Sequence, residues 1–205
     1  MTFDRARRRR VLFVAPLFDE ANRTRRFLVE TMRRLDAAGI DSLLPDLPGC
    51  NESLRAFRDQ TLSGWRACVG AAIAHFAATS ILAVRGGALL LPTDAPGWVL
   101  EPVSGASLLR QQLRARTIAA REDGRSETIE GLLSEGSDKG LELNGYSCSP
   151  RLLQELAEAI WQDSAAQQVI RQPDLGGAAL WMRAEPSEDP AQADALARLI
   201  AEGRP

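Results

Sequence analysis

The stretch that most constrains the fold is Ser80–Leu91, Ser-Ile-Leu-Ala-Val-Arg-Gly-Gly-Ala-Leu-Leu-Leu. Ile81–Val84 is an uncharged apolar run of strand length. Arg85-Gly86-Gly87 turns the chain, and the small-residue apolar run that follows leaves as a helix. A buried strand that ends in a sharp glycine turn and opens a helix is the setting of a nucleophile elbow, whose usual pattern is Gly-x-Ser-x-Gly. Here the five positions read Ala83-Val84-Arg85-Gly86-Gly87. The turn is kept, and the nucleophile's place holds an arginine.

Around this stretch the chain alternates. Val11–Ala15 is a continuous apolar run, as a strand covered on both faces requires, and Pro16 ends it. The loop Leu17–Asn22 is densely polar, with Asp19, Glu20 and Asn22, and a helix is predicted from about Arg23 to Ala38 with Gly39 as its stop. Asp41–Pro45 reads as a second strand. Leu62, Trp65, Val69, Ile73 and Phe76 recur at helical spacing, the elbow strand follows, and Trp98–Leu100 is a fourth strand. Strand–helix alternation of this kind implies a parallel sheet with right-handed crossovers.

From Ser104 the alternation stops. Residues 105–122 read as a basic helix, Glu127–Ser134 as a short one, and Ser149 as the N-cap of a helix running to Trp161. Residues 104–165 are therefore expected to form a lid-like helical insertion within a single domain, 1–205. Ala178–Met182 is predicted as the fifth strand and Pro190 to about Ala201 as the last helix.

Composition excludes several function classes. A net charge of −2 provides no general attraction to nucleic acid or anionic membranes, and aromatics at 5% do not interleave with basic residues to stack bases. No apolar run reaches membrane-spanning length. Three cysteines, Cys50, Cys68 and Cys148, are odd in number and lack metal-ligand spacing, so a reduced, cytoplasmic protein without a bound metal or cofactor is expected. Arg7–Arg10 are read as a solvated arm.

Four segments in order carry a resemblance: Val14–Arg26, Asp46–Ser53 (Asp-Leu-Pro-Gly-Cys-Asn-Glu-Ser), Val84–Ala88 and Gly145–Pro150 (Gly-Tyr-Ser-Cys-Ser-Pro). Together they resemble the α/β hydrolases, and among these the exosortase A system-associated hydrolases found beside bacterial exopolysaccharide and protein-sorting machinery. The resemblance implies a truncated α/β-hydrolase-like three-layer sandwich with a five-stranded, mainly parallel sheet. It also implies that arginine at the elbow occurs in that group. Only counterparts of the family's third to seventh strands are found, without the leading hairpin or the strand preceding the catalytic histidine.

A serine-hydrolase triad needs a nucleophile, a base and an orienting acid. Glu185 or Asp189 lies where the acid belongs. The sole histidine, His75, lies near the end of the helix that enters the elbow strand, which puts it at the sheet's N-terminal edge, away from the C-terminal edge where sites form. Cys50 is an alternative nucleophile only if a base or a positive field activates it. What remains is a polar constellation after strand ends, Asp19, Glu20, Asn22, Asp46 and Arg85, with Phe18 and Gly86 beside it as further candidate binding residues. Arg85 is expected either to be bridged by Glu20 or to bind an anionic small molecule. The chain is accordingly read as a catalytically degenerate α/β-hydrolase-like protein, a binding or assembly partner working as a homodimer or with another protein. The alternative is an esterase or acyltransferase with an unconventional site.

Overall fold

The computed structural model describes residues 1–203. In chain order its elements are β1 (Thr2–Phe3), β2 (Arg10–Val14), α1 (Asp19–Ala37), β3 (Asp41–Leu43), α2 (Leu62–His75), β4 (Ser80–Val84), β5 (Gly97–Leu100), α3 (Gly105–Glu122), α4 (Ile129–Lys139), β6 (Leu141–Leu143), β7 (Tyr146–Cys148), α5 (Pro150–Glu158), β8 (Gln167–Ile170), α6 (Gln172–Leu175) and α7 (Pro190–Glu202). The chain divides into two compact units. One comprises residues 1–45, 69–102 and 161–205; the other comprises 46–68 and 103–160.

The first unit holds the sheet. Six strands lie in the order β1-β3-β2-β4-β5-β8, parallel except for β1, which pairs antiparallel with β3. The fold is mixed α/β and three-layered, with helical insertions. All five residues of β4 are buried, because it sits inside the sheet with β2 and β5 as neighbours. Side chains alternate along each strand: Val11, Phe13, Leu82, Val84, Trp98, Leu100 and Ile170 face the core shared with α1 and α7, while Leu12, Ile81, Ala83 and Val99 are buried on the other face. On α1, Phe27, Leu28, Met32 and Leu35 are spaced to form one inward stripe, each at most 2% exposed. Fully burying such side chains stabilises by roughly 1.5–3 kcal/mol apiece.

Several expectations are corrected. The strand beside β5 is Gln167–Ile170, whereas Ala178–Met182 contains a short 3₁₀ turn, Leu180–Met182. The sheet gains a sixth strand at its other edge, β1. The helix predicted from Arg23 begins at Asp19, so Asp19 and Glu20 lie in its first turn, where negative charge suits the helix dipole. The run after the elbow is a 3₁₀ helix, Arg85–Leu90. Nor are Arg7–Arg10 a solvated arm. Arg7 pairs with Asp36 and Asp41, and Arg10 with Asp4 and Asp41. Arg9 donates to the carbonyls of Ile200 and Ala201 in the last turn of α7.

The second unit is mainly helical. α3 and α5 approach closely enough that a Cβ on Gly105 would lie 2.1 Å from the Leu156 carbonyl oxygen. Ser104, Thr128 and Ser149 cap α3, α4 and α5 through their hydroxyls, and β6 and β7 form an antiparallel hairpin. Trp65 donates its indole N–H to the Pro48 carbonyl at 2.9 Å, tying α2 to the 46–53 loop.

Candidate functional site

Strand order reverses between β2 and β4: the chain proceeds from β2 outward to β3, then returns to β4 and proceeds the other way to β5. In open parallel sheets the crevice outside the carboxyl ends of the strands at such a reversal is where ligands bind. Three residues with left-handed backbone stand at or just beyond strand ends on this edge: Phe18 (φ 58°) after β2, Arg85 (φ 53°) after β4 and Glu101 (φ 46°) after β5. None is glycine, and each such conformation costs on the order of 1–3 kcal/mol unless the surroundings impose it.

Arg85 is held in this place from three sides. Its Nε donates to Glu20 Oε2 at 3.1 Å and its Nη2 to Glu20 Oε1 at 3.0 Å, a side-on bidentate pair. Nη1 points at the Glu101 carbonyl oxygen, 3.4 Å away. The guanidinium carbon lies 5.0 Å from the centre of the Trp181 ring, a cation–π arrangement. Trp181 is itself fixed through its carbonyl, which accepts from Arg23 at 3.2 Å. The Glu101 carboxylate is engaged elsewhere, accepting from the Gln172 backbone N–H at 2.7 Å. Gly87 explains the tightness of the turn: a Cβ there would lie 2.5 Å from the Ala15 carbonyl oxygen and 2.6 Å from that of Val14.

Of the residues singled out in the sequence, Phe18, Glu20, Arg85 and Gly86 converge at this edge, and all but Arg85 are buried. Asn22 is exposed on α1. Asp46 belongs to the second unit, where its carboxylate accepts from Asn51 at 2.7 Å. Cys50 lies in the same loop, and burial together with Asp46 pushes its thiol up to about 11, the reverse of what a nucleophile requires. Glu185 is exposed, and Asp189 caps α7 by accepting from the Ala191 and Gln192 N–H groups. His75 is exposed at the C-terminal end of α2, before the strand whose far end carries Arg85.

Sequence reasoning missed Glu101 and Trp181. Glu101 directly follows a predicted strand on the edge where sites form, which is a usable signal. Trp181 carries no such signal, because it falls within an apolar run that reads as a strand.

No family model matches the chain, and no curated protein does. Among solved structures it is similar to Est1E from Butyrivibrio proteoclasticus with ferulic acid bound, at 12% identity and TM-score 0.56, covering 96% of this chain and 88% of that one. That likeness is one of fold: the architecture is α/β-hydrolase-like. A proposed hydrolase from Agrobacterium vitis S4 also aligns, at 15% identity and TM-score 0.49, covering 95% of this chain and 87% of that one. The residue after β4, on a strained strand-to-helix turn of the kind a nucleophile elbow uses, is an arginine. Arginine stays protonated and carries no acceptor.

Among the described residues no group of three or more His, Cys, Asp or Glu is placed to hold a metal, and no helix is long and apolar enough to cross a membrane.

Proposed function

We propose that this chain is a catalytically degenerate α/β-hydrolase-like protein that works by binding or assembly. The observation that carries this reading is the bidentate pair of Arg85 with Glu20 at the elbow. The position that would hold a nucleophile is filled by a cation, and the carboxylate beside it is committed to that cation. The resemblance of the 14–26, 46–53, 84–88 and 145–150 segments supports a context in exopolysaccharide or exosortase systems. In this reading the protein is cytoplasmic, acts as a homodimer or with a protein partner, and uses the helical segment 104–165 in the manner of a lid. The test is turnover of p-nitrophenyl acetate and methyl ferulate by the purified protein. A rate no higher than background is expected.

A second reading is supported by the fold's likeness to Est1E: an esterase or acyltransferase with an unconventional site. Turnover that co-purifies with the protein and disappears in Cys50→Ala or Arg85→Ala would replace the first reading with this one.

A further inference from the structure

The longest helix of the second unit, α3, buries Leu108, Leu109, Gln112, Leu113 and Ala120 on one face. Its opposite face is basic. At 3.6 residues per turn, Arg110, Arg114 and Arg121 project within an arc of about 40° and along about 16 Å of helix, with Ile118 beside them. All three arginines are exposed, and Ile118 is 61% exposed. Many arginines of this chain hold a carboxylate, as Arg7, Arg34, Arg85 and Arg116 do. Among the described residues Arg110, Arg114 and Arg121 hold none. One acidic residue, Glu122, borders the face at its C-terminal end.

We propose that this face of α3 docks an acidic, amphipathic helical segment of a partner protein. Its carboxylates take the three guanidinium groups, and an apolar side chain between them covers Ile118. Charge complementarity selects the occupant. Arginine forks match carboxylates in planar, paired geometry. The arginines step by one helical turn and then by two, so a helix laid along α3 with the same pitch brings carboxylates at i, i+4 and i+11 into register.

An extended polyanion is disfavoured. It would meet the whole molecule, whose net charge is −2, whereas a short acidic segment meets only charges within a Debye length, about 10 Å at 0.1 M salt. Lipid-binding basic clusters carry about four to eight basic residues. No aromatic side chain occurs in α3 to stack a base. The surface is independent of the elbow and stands whether or not the elbow is catalytic.

The test uses the full chain and labelled helical peptides with glutamate at i, i+4 and i+11 and leucine at i+8, in both chain directions. One direction is expected to bind saturably, with affinity falling as salt rises. Arg110→Ala, Arg114→Ala and Arg121→Ala combined are expected to weaken binding about tenfold or more. Alanine preserves the helix, which circular dichroism verifies. The combined Arg→Glu variant should instead bind a peptide whose glutamates are replaced by lysine. Absence of saturable binding by either peptide overturns the proposal. So does equal binding by the alanine variant, or failure of the charge-swapped pair. Tighter, arginine-dependent binding of phosphatidylserine vesicles or single-stranded RNA would overturn it in favour of a polyanion surface.

Discussion

Arg85, at the end of β4, and Glu20, in the first turn of α1, lie 65 residues apart in sequence and meet edge to edge, with the Glu20 side chain 1% exposed and that of Arg85 15% exposed. The elbow places one partner and the first turn of α1 the other, so the pair is built by the sheet's crossover rather than by local sequence. Removing one member of such a pair leaves an uncompensated buried charge.

Arg85→Ala is therefore expected to destabilise by about 3–5 kcal/mol, because Glu20 is left without a counter-charge. Replacing both members, Arg85→Met with Glu20→Leu, should recover most of that loss. Urea denaturation of the wild type, both single variants and the double variant checks this. An Arg85→Ala protein that unfolds with the wild-type midpoint would show that the arginine serves a ligand instead.

Arg85→Ser is expected to produce no esterase. The serine would stand on the strained turn, but the one histidine of the chain is exposed at the end of α2 that precedes β4, the opposite end of that strand. No imidazole stands there to take the hydroxyl proton and pass it to a leaving group. Turnover of p-nitrophenyl acetate by Arg85→Ser above the wild-type background would refute this account.

The two glycines Gly87 and Gly70 should respond oppositely to alanine. At Gly87 the new methyl would meet the Val14 and Ala15 carbonyl oxygens, both main-chain atoms, and a loss of roughly 3 kcal/mol is expected. At Gly70, inside α2, nothing lies within 4 Å of where the new methyl would stand, so alanine gains helix propensity of about 0.5–1 kcal/mol. Thermal melts of the two variants read the contrast directly.

The elbow strand and its two neighbours were legible in the sequence because buried parallel strands announce themselves as uncharged apolar runs. The last strand was not. Gln167–Ile170 carries two glutamines, and Gln167 is buried because its side chain donates to the Pro92 and Ala95 carbonyls and accepts from the Trp161 indole. An edge strand satisfied by side-chain hydrogen bonds has no apolar signature. Conversely Ala178–Met182 is apolar without being a strand: Gly176 and Gly177, both with positive φ, turn the chain just before it and set Trp181 over Arg85. At the site, Glu20 facing Arg85 could be anticipated from the need to balance a buried cation. The ring above it could not, because its position depends on a turn between distant elements.

The thiols should separate by accessibility and charge. Cys68 is exposed, whereas burial and nearby carboxylates, Asp46 and Glu142, push Cys50 up to about 11 and Cys148 up to about 12. At pH 7.5 iodoacetamide is expected to label Cys68 first and to leave Cys50 and Cys148 unmodified until the protein is unfolded. Peptide mass mapping over a time course checks the order. Rapid labelling of Cys50 in the folded protein would reinstate it as a nucleophile.

Acid stability should hinge on the carboxylates tied to the N-terminal arginines. Hydrogen bonds from Arg10 and the Ala6 N–H lower Asp4 from 3.8 to about 2. Arg7 and Arg5 lower Asp36 in the same direction. A carboxylate with a depressed folded value takes up its proton sooner in the unfolded chain, so in this range the unfolded state binds more protons and stability rises with pH. The contribution of Asp4 is complete above the unfolded value of 3.8 and is lost as the pH falls towards about 2. The wild-type melting temperature is expected to hold steady from neutrality to about pH 5 and to fall below that. Asp4→Asn removes one titrating group, so its melting temperature should start lower at pH 7 and fall less steeply between pH 4 and pH 2. Parallel slopes for the two proteins over that interval would show that the Asp4–Arg10 pair contributes nothing to acid unfolding.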